Sequence, residues 1–309
     1  MIGTITLNPS VDQHMAVRKF LKDDAMRAVS VERFAGGKGI NVSRVVHELG
    51  GETCAFGFIG GSSGQMLARW LDEAGIAHLF VEIGGETRIN MTVTDLSDRT
   101  QSHIRMKGPS VSREELDRLT RQVAAAAPGA ARWALGGSLP PGVPDDFYRR
   151  LIQMLEDSGA QCVLDTDDEA LTAGLDATPF MIKPNEYEFE RLTGEPADTD
   201  DRIVRAAGKL VRKGIQVVMT TLGPRGAVVV TEGEAFRINT PPVEVKSKVG
   251  AGDSTIAGFL VGLERGLSLR EAARYGIAAG TAAVLTEGTT LCERKEVERI
   301  FPQIQAVSL

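Results

Sequence analysis

Short apolar runs recur along the chain, and each is followed by a segment whose hydrophobic residues have helical spacing. These patterns predict strands at 53–58, 132–135, 162–165 and 217–220, and helices at 65–74, 145–157, about 252–265 and 269–286, with a short helix after 165. Strands that alternate with helices indicate a mainly parallel sheet covered on both faces. Ligands of such sheets bind beyond the carboxyl ends of the strands.

Two regions of the chain depart from this rhythm. They contain three segments in which apolar and polar residues alternate with period two, as in half-buried strands. The segments concerned are 27–34, 87–95 and 102–107. Basic residues such as Arg88 and Arg105 fall on one face, and residues such as Ile89 and Ile104 fall on the other. We therefore expect a small antiparallel sheet with one cationic and one apolar face. The apolar face needs cover, and a second copy of the chain would supply it, which predicts a homodimer.

Composition narrows the class of protein. The 309 residues carry a net charge of −6, whereas nucleic-acid binders have a basic footprint, so we expect no nucleic-acid partner. No apolar run suits a signal peptide or a membrane span, and the three cysteines are too few and too scattered for a disulfide framework, so a cytoplasmic protein with reduced thiols is expected. The four scattered histidines give no zinc-site spacing.

The stretch VGAGDS, residues 249–254, combines bare backbone with a carboxylate at the predicted start of a helix. Gly250, Ala251 and Gly252 leave main-chain N–H groups accessible where the helix N-terminus is partially positive, which suits an anionic phosphate. Asp253 is compatible with two roles, a first-turn acid that stabilises the helix or a general base beside the anion site.

A second glycine cluster, residues 36–39, allows a ligand close to the backbone before a predicted helix. It is not a Walker A loop, because the required upstream glycine and the Ser or Thr after the lysine are absent. No G-x-G-x-x-G fingerprint of a dinucleotide-binding fold occurs in the chain.

A hydrolase is the competing interpretation, because Gly60–Gly64 matches G-x-S-x-G between a strand and a helix. Only His78 and His103 follow Ser62, and both come too early for the Ser, acid, His order of that fold. A tight strand-to-helix turn is the preferred interpretation.

Seven motifs occur in the order found in PfkB-type carbohydrate kinases, and together they span nearly the whole chain. They are GGKGINV, GSLPPGV, LDTDDEAL, KPNEYE, LGPRGA, VGAGDS and GTTLC. The sequence thus resembles the ribokinase-like superfamily, and its last motifs resemble the phosphofructokinase and tagatose-6-phosphate kinase branch.

The resemblance implies a single ribokinase-like domain over residues 1–309. Its fold would be a three-layer α/β/α sandwich with a mainly parallel sheet and a small β lid, formed by about 10–35 and 86–108, that pairs with its twin in a homodimer. It also implies transfer of the γ-phosphoryl group of ATP, with Mg²⁺, to a hydroxyl of a phosphorylated ketohexose. Asp253 would be the general base, and the amides of Gly250, Ala251 and Gly252 would form the anion hole.

The same resemblance assigns the remaining site residues. The sugar-phosphate side would comprise Asp12, Arg27, Gly37, Lys38, Asn41, Arg88, Arg105 and Ser138. The ATP side would comprise Lys183, Asn185, Thr221, Gly223, Gly226, Ser247, Lys248 and Thr281. Glu188 would act on Mg²⁺ through water, and Ser247, Val249 and Gly288 would surround a monovalent cation such as K⁺.

Departures from the family pattern leave the sugar open. Residues 105–109 are Arg-Met-Lys-Gly-Pro instead of the Asn-Glu-Pro-Gly-Pro usual in the tagatose-6-phosphate and 1-phosphofructokinase branches. The 6-phosphofructokinase branch typically has four glycines at GGKG and a lysine at Ala25, and Lys248 replaces a usual threonine. The C-terminal GTTLCERKEVERIF and the lid segment favour fructose 6-phosphate, with fructose 1-phosphate or tagatose 6-phosphate as alternatives. A non-catalytic sugar-phosphate or nucleotide sensor is the alternative from another class.

Overall fold

The computed structural model describes residues 1–286 and 290–309, and within these ranges a ten-stranded sheet forms the body. Its strands are β1 (Ile2–Thr6), β4 (Thr53–Ile59), β5 (Ala77–Glu82), β8 (Arg132–Gly136), β9 (Gln161–Asp165), β10 (Met181–Ile182), β11 (Val217–Thr221), β12 (Ala227–Val230), β13 (Ala235–Asn239) and β14 (Gln305–Ser308). Four further strands form a small separate sheet: β2 (Ser10–Val17), β3 (Ala28–Gly36), β6 (Arg88–Asp95) and β7 (Gln101–Ile104).

Helices cover both faces of the large sheet. They are α1 (Lys38–Glu48), α2 (Gly61–Glu73), α3 (Arg113–Ala126), α4 (Phe147–Asp157), α5 (Asp168–Leu175), α6 (Glu186–Thr193), α7 (Asp200–Val211), α8 (Ala251–Glu264), α9 (Leu269–Ala283) and α10 (Arg294–Ile300). One buried apolar cluster joins the sheet to α3, α4 and α7, and another joins its opposite face to α1, α8 and α9. The predicted three-layer α/β/α fold is therefore confirmed.

The large sheet has the order β14-β13-β12-β11-β10-β9-β8-β1-β4-β5. Strands β11 to β5 in this order run parallel, and β12, β13 and β14 are added antiparallel at one side. The carboxyl ends of β11, β10, β9, β8 and β1 consequently lie side by side along one edge, where a ligand of a parallel sheet would bind. In the described ranges, no helix has the length and apolarity needed to cross a membrane.

The strands predicted from apolar runs are confirmed, with ends shifted by at most one residue. Helix ends differ more. Helix α2 begins at Gly61 rather than at 65, because the Glu86 carboxylate accepts hydrogen bonds from the main-chain N–H of Ser62 (3.2 Å) and Ser63 (2.6 Å) and so caps the early turn. That cap comes from a distant strand-to-strand loop, so local sequence gave no sign of it.

The small sheet has the order β3-β2-β6-β7, and one part of its prediction was wrong. Strands β2 and β6 pair in parallel, not antiparallel, while β2–β3 and β6–β7 are antiparallel. The reason is topological. Strand β2 continues from β1 and β6 continues from β5, and β1 and β5 point the same way in the body.

One face of the small sheet is apolar, as predicted, whereas the other is polar and of mixed charge instead of cationic. The register pairs Met15 with Val31 and Val93, and Met91 with Ile104, so these apolar residues share one face. Val31 is 51% exposed and Ile104 is 50% exposed. The other face carries Asp12, Asn90 and Thr92 on adjoining strands. An exposed apolar sheet face of this kind calls for a partner surface.

Helices α8 and α9 cross in close contact because glycines face each other. A Cβ atom on Gly258 would lie 3.0 Å from the Cα of Gly276, and one on Gly276 would lie 2.6 Å from the carbonyl oxygen of Thr255. Helix α8 is buried along most of its length, so this packing fixes the position of its N-terminus.

We expect Gly276→Val to lower the free energy of unfolding by about 3 kcal/mol, because the added side chain must push the two helices apart. Gly208→Ala in α7 is the matched control, since a Cβ there meets only the end of Arg212 at 3.5 Å. It should stabilise the helix by about 0.5–1 kcal/mol. Urea unfolding of both variants tests this; equal effects would contradict the tight crossing.

Candidate active site

The start of α8 combines a left-handed glycine with a buried carboxylate. Gly250 has φ 76°, which favours glycine, and a Cβ there would lie 2.3 Å from a methyl carbon of Leu291. Among residues 1–286 and 290–309, no side chain caps this helix start. The first N–H groups of a helix lack intrahelical acceptors, so a bare N-terminus can receive an anion.

Asp253 lies in the first turn of α8 and is almost completely buried. Asn41 of α1 donates a hydrogen bond from Nδ2 to its Oδ2 at 2.8 Å. Burial raises the pKa of Asp253 above that of an ordinary aspartate, and the attraction of Lys38 does not offset this. A raised pKa suits a carboxylate that must accept a proton and later release it.

Asp165, at the end of β9, holds two ammonium groups in this region. Lys38 Nζ is 2.9 Å from Asp165 Oδ2, and Lys183 Nζ is 3.8 Å from Oδ1. Asp165 and Lys183 are buried. Although burial favours the neutral acid, Lys183 and Lys38 outweigh it and lower the pKa of Asp165, so this carboxylate stays ionised.

The two lysines also bring positive charge to the start of α8. A Cβ on Gly252 would lie 3.0 Å from Lys183 Nζ, so the ammonium packs directly against this glycine. Desolvation opposes the charge on Lys38, but Asp165 and Asp253 outweigh it and raise the pKa of Lys38. Two basic side chains therefore lie beside the start of α8, and Lys38 keeps its charge at neutral pH.

On the β1 side of this centre, Asp12 projects from the polar face of the small sheet. Its Oδ1 accepts hydrogen bonds from Ser10 Oγ (2.7 Å) and from Asn90 Nδ2 (3.1 Å). Gly36 packs against the carboxylate, since a Cβ there would lie 2.3 Å from Asp12 Oδ2. Gly37 precedes α1 with φ 121°, which a larger residue rarely adopts.

Arg88 and Ser138 meet around Asn8, which connects β1 to β2. Arg88 donates from Nη2 to the Asn8 carbonyl oxygen and from Nη1 to the Met106 carbonyl oxygen, both at 2.8 Å. Asn8 Nδ2 lies 3.3 Å from Ser138 Oγ. Arg105 and Arg27 are exposed on segments of the small-sheet region. Burial lowers the pKa of Arg88. The attraction of Asp12 opposes this effect, and the nearby charge of Arg105 adds to it.

On the β10 and β11 side, Asn185 and Glu188 form a capping box at the start of α6. Glu188 N donates to Asn185 Oδ1 at 2.9 Å, and Asn185 N donates to Glu188 Oε2 at 2.8 Å. Asn185 forms a bridge to Thr221 at the end of β11. The next turn contains Gly223 and Gly226, both with positive φ, at 58° and 79°.

The remaining predicted residues surround the α8–α9 end. Ser247 is buried and its Oγ accepts a hydrogen bond from Val249 N at 3.2 Å. Lys248 is exposed. Thr281 is buried within α9 and donates to the Ile277 carbonyl oxygen at 2.7 Å, so its hydroxyl is engaged within its own helix. Gly288, predicted at a cation site, lies outside the described residues.

The hydrolase interpretation fails on geometry. Ser62 Oγ donates to Glu86 at 3.1 Å, His78 pairs with Asp72 at 3.1 Å, and His103 pairs with Thr92 on the small sheet at 3.0 Å. Neither histidine is a hydrogen-bond partner of Ser62, so the Ser, acid, His arrangement of a hydrolase is not formed around it. In the described part of the chain, no cluster of three or more His, Cys, Asp or Glu residues could hold a metal alone.

Sequence reasoning missed Asn8 and Asn90 as members of this site. Asn8 lies two residues after the end of the buried strand β1 and precedes Pro9, a position typical of a strand-to-loop junction at the ligand edge. That position was the available signal. Asn90 falls on the same face as Arg88 in the period-two segment 87–95, but its bond to Asp12 depends on the parallel β2–β6 pairing, which the alternation does not predict.

Comparisons with known proteins identify the family of this chain. The model of the pfkB family carbohydrate kinases matches residues 3–296. The chain is 33% identical to 1-phosphofructokinase of Borreliella burgdorferi over 306 residues, covering 99% of this chain and 98% of the relative. It is 36% identical to ATP-dependent 6-phosphofructokinase isozyme 2 of Mycobacterium tuberculosis over 301 residues, covering 97% and 88%.

Among solved structures, phosphofructokinase-2 from Escherichia coli in complex with potassium superimposes with a TM-score of 0.93, at 33% identity and with 98% of each chain covered. The predicted ribokinase-like fold and the predicted resemblance are thus confirmed. The chain belongs to the pfkB family of carbohydrate kinases, enzymes that transfer a phosphoryl group to a sugar hydroxyl.

Proposed function

We propose that the protein is an ATP-dependent phosphofructokinase that phosphorylates the 1-hydroxyl of fructose 6-phosphate to give fructose 1,6-bisphosphate. The observation that carries the proposal is the pairing of the buried Asp253 carboxylate with the uncapped N-terminus of α8. One group can remove a proton from an alcohol, and the other can stabilise the negative charge of a phosphoryl group in transfer.

In the proposed step, Asp253 accepts the proton of the sugar hydroxyl while the hydroxyl oxygen attacks the γ-phosphorus of ATP. The bond from this phosphorus to the bridging oxygen breaks, and ADP leaves with the electron pair. Asn41 holds the carboxylate in position. The amides of Gly250, Ala251 and Gly252, with the ammonium of Lys183 packed against Gly252, stabilise the equatorial oxygens.

The sugar would lie between the small sheet and the body. Asp12 would accept hydrogen bonds from sugar hydroxyls, beside the backbone of Gly37 and the side chain of Lys38. The phosphate already on the sugar would meet Arg88 and Ser138, with Arg27 and Arg105 adding charge from the exposed segments. Arginine suits this task because its planar guanidinium binds phosphate with two parallel hydrogen bonds.

ATP would lie across the ends of β10 and β11, where Lys183, Asn185 and the turn of Gly223 and Gly226 follow one another. Thr221, Ser247, Lys248 and Thr281 would border it, although the hydroxyl of Thr281 must first leave its bond within α9.

The carboxylate of Glu188 beside the ATP phosphates would suit Mg²⁺, which proteins usually bind through one or two carboxylates together with substrate phosphates. Glu188 would hold the ion through water, and the ion would neutralise charge on the phosphates. A monovalent cation beside Ser247 and Val249 is part of the same proposal.

Other sugars remain candidates because the relatives differ in name, one being a 1-phosphofructokinase and another a 6-phosphofructokinase. Fructose 1-phosphate and tagatose 6-phosphate would use the same base and the same anion site. A non-catalytic sensor is disfavoured, because sensing a nucleotide does not require a buried carboxylate with a raised pKa at the phosphoryl site.

The sugar is tested by measuring ADP release with fructose 6-phosphate, fructose 1-phosphate, tagatose 6-phosphate, fructose and ribose. We expect the highest kcat/KM with fructose 6-phosphate, because the cationic end of the site favours a phosphorylated ketose. A preference for fructose 1-phosphate or tagatose 6-phosphate would correct the sugar alone. A preference for free fructose or ribose would contradict the phosphate-binding role of Arg88 and Ser138.

Asp253→Asn separates catalysis from stability. Turnover should fall by on the order of 10²–10⁴-fold, because the amide cannot accept the proton, while ATP binding stays measurable. The free energy of unfolding at pH 7 should rise, because the folded-state pKa of Asp253 is raised and its ionised form therefore costs stability above that pKa. This gain should shrink as the pH falls through the raised folded-state pKa. Near wild-type turnover would refute the assignment.

We also propose that the small sheet is a lid over the sugar and that its apolar face pairs with the same face of a second copy. Short connections of three and five residues join β1 to β2 and β5 to β6, so the polar face carrying Asp12 stays beside the sheet edge. The opposite face leaves Val31 and Ile104 about half exposed. Pairing two such faces would remove them from water.

Light scattering at micromolar concentration should give twice the 33.1 kDa mass of one chain. Val31→Glu should shift the mass to that of one chain, because a carboxylate in an apolar interface loses its hydration. Val307→Glu is the matched control, since Val307 is also 51% exposed but lies on β14. A wild-type monomer, or equal effects of the two substitutions, would contradict pairing through the lid.

A further inference from the structure

Asn8 occupies the junction between the body and the small sheet, in the short connection from β1 to β2. It is 3% exposed, so the hydrogen bonds of its side chain determine which polar groups can face a ligand here. Asn8 is not among the site residues predicted from the motifs. Its contacts nevertheless reach both Arg88 and Ser138.

The orientation of the Asn8 amide is fixed by a main-chain carbonyl. Nδ2 lies 2.9 Å from the carbonyl oxygen of Lys107, and an exchanged amide would set two acceptor oxygens against each other. The same Nδ2 lies 3.3 Å from Ser138 Oγ and donates to it. Ser138 is therefore an acceptor towards Asn8, and its own hydroxyl hydrogen stays available for another group.

The main-chain carbonyl of Asn8 fixes the orientation of a second donor, the guanidinium of Arg88. Its carbonyl oxygen accepts from Nη2, and the carbonyl oxygen of Met106 accepts from Nη1, which fixes the plane of the guanidinium. Arg88 Nε is buried and has no hydrogen-bond partner among the residues that the structure describes. A buried N–H group of a cation is costly when it lacks an acceptor. Arg88 Nε–H is therefore suited to donate a hydrogen bond to an anionic acceptor.

We infer that Asn8 is a positioning residue that keeps two donors, the Ser138 hydroxyl and Arg88 Nε–H, directed at the phosphate of the sugar substrate. This inference rests on the proposed function and adds the origin of its selectivity for a phosphorylated acceptor. Asn8 itself need not touch the substrate. Its amide makes the serine a donor, and its carbonyl orients the arginine.

A purely structural role for Asn8 is the alternative. Gly108, with φ 90°, packs against the Asn8 side chain, since a Cβ there would lie 2.2 Å from Asn8 Oδ1. Together with the Lys107 contact, this joins the exit of the small sheet to the body. Such a role predicts lower stability after substitution, with no difference between phosphorylated and free sugars. The two roles are therefore separable by kinetics.

The test is a double-mutant cycle of Asn8→Ala and Ser138→Ala, read as KM and kcat for the phosphorylated sugar that the wild-type enzyme prefers and for free fructose. Each single variant should raise KM for the phosphorylated sugar about tenfold, because a hydrogen bond to a charged group is lost, and should change kcat little. The double variant should be no worse than the worse single one, since the Asn8 amide acts through Ser138 while the main-chain carbonyl that holds Arg88 is retained in Asn8→Ala. KM for fructose should stay within about twofold.

Asn8→Asp provides a second variant of nearly the same shape. Its carboxylate accepts the Ser138 hydrogen instead of freeing it and adds a negative charge, so KM for the phosphorylated sugar should rise more than in Asn8→Ala. Thr53→Ala is the matched control, because Thr53 donates a buried hydrogen bond to the Ile2 carbonyl oxygen at the opposite end of the sheet. It should lower stability and leave both KM values unchanged.

Additive effects of Asn8→Ala and Ser138→Ala, or equal increases in KM for phosphorylated and free sugar, would overturn the inference while leaving the proposed reaction in place. An unchanged KM in Asn8→Asp would overturn it equally. A wild-type enzyme that prefers free fructose or ribose would remove the proposed function and this inference together, so the two failures are distinguishable.

Discussion

The ion pairs of Asp165 are the interaction on which the rest of the site depends. One carboxylate at the end of β9 holds an ammonium from α1 and another from the residue after β10, and two of the three groups are buried. A buried charge is tolerated only when it is paired, so the removal of Asp165 would leave the buried ammonium of Lys183 without its carboxylate. The three elements therefore have to meet here, and the start of α8 is set against the same cations.

Much of the fold was predictable because its signals are local. Parallel strands such as β4, β8 and β9 are continuous apolar runs, and a helix such as α4, which follows β8, has apolar residues at clear helical spacing. The early start of α2 and the parallel pairing of β2 with β6 were not predictable in this way. The first depends on Glu86 from a loop beyond β5, and the second depends on the order of strands in the other sheet. Both are consequences of tertiary structure.

The residues of the candidate site also divide into those that local sequence predicts and those that it does not. The glycines at 250 and 252, the carboxylate of Asp253 and the amide of Asn185 stand in motifs whose chemistry can be recognised from residue type and spacing. The partners of these groups cannot. Asn41 reaches Asp253 from 212 positions away in the chain, and Lys38 reaches Asp165 from 127 positions away. Charge and hydrogen bonding across such separations appear only when the sheet order is known.

The parallel pairing of β2 and β6 constrains how the molecule can move. Both strands leave the same side of the body next to each other, with Asp12 directly opposite Asn90 and Ser10 opposite Arg88. A rotation of the small sheet must therefore carry the carboxylate and the guanidinium through one common angle. If the small sheet is the lid proposed above, the carboxylate that would hold the sugar hydroxyls and the guanidinium that would hold its phosphate would move away from the body together.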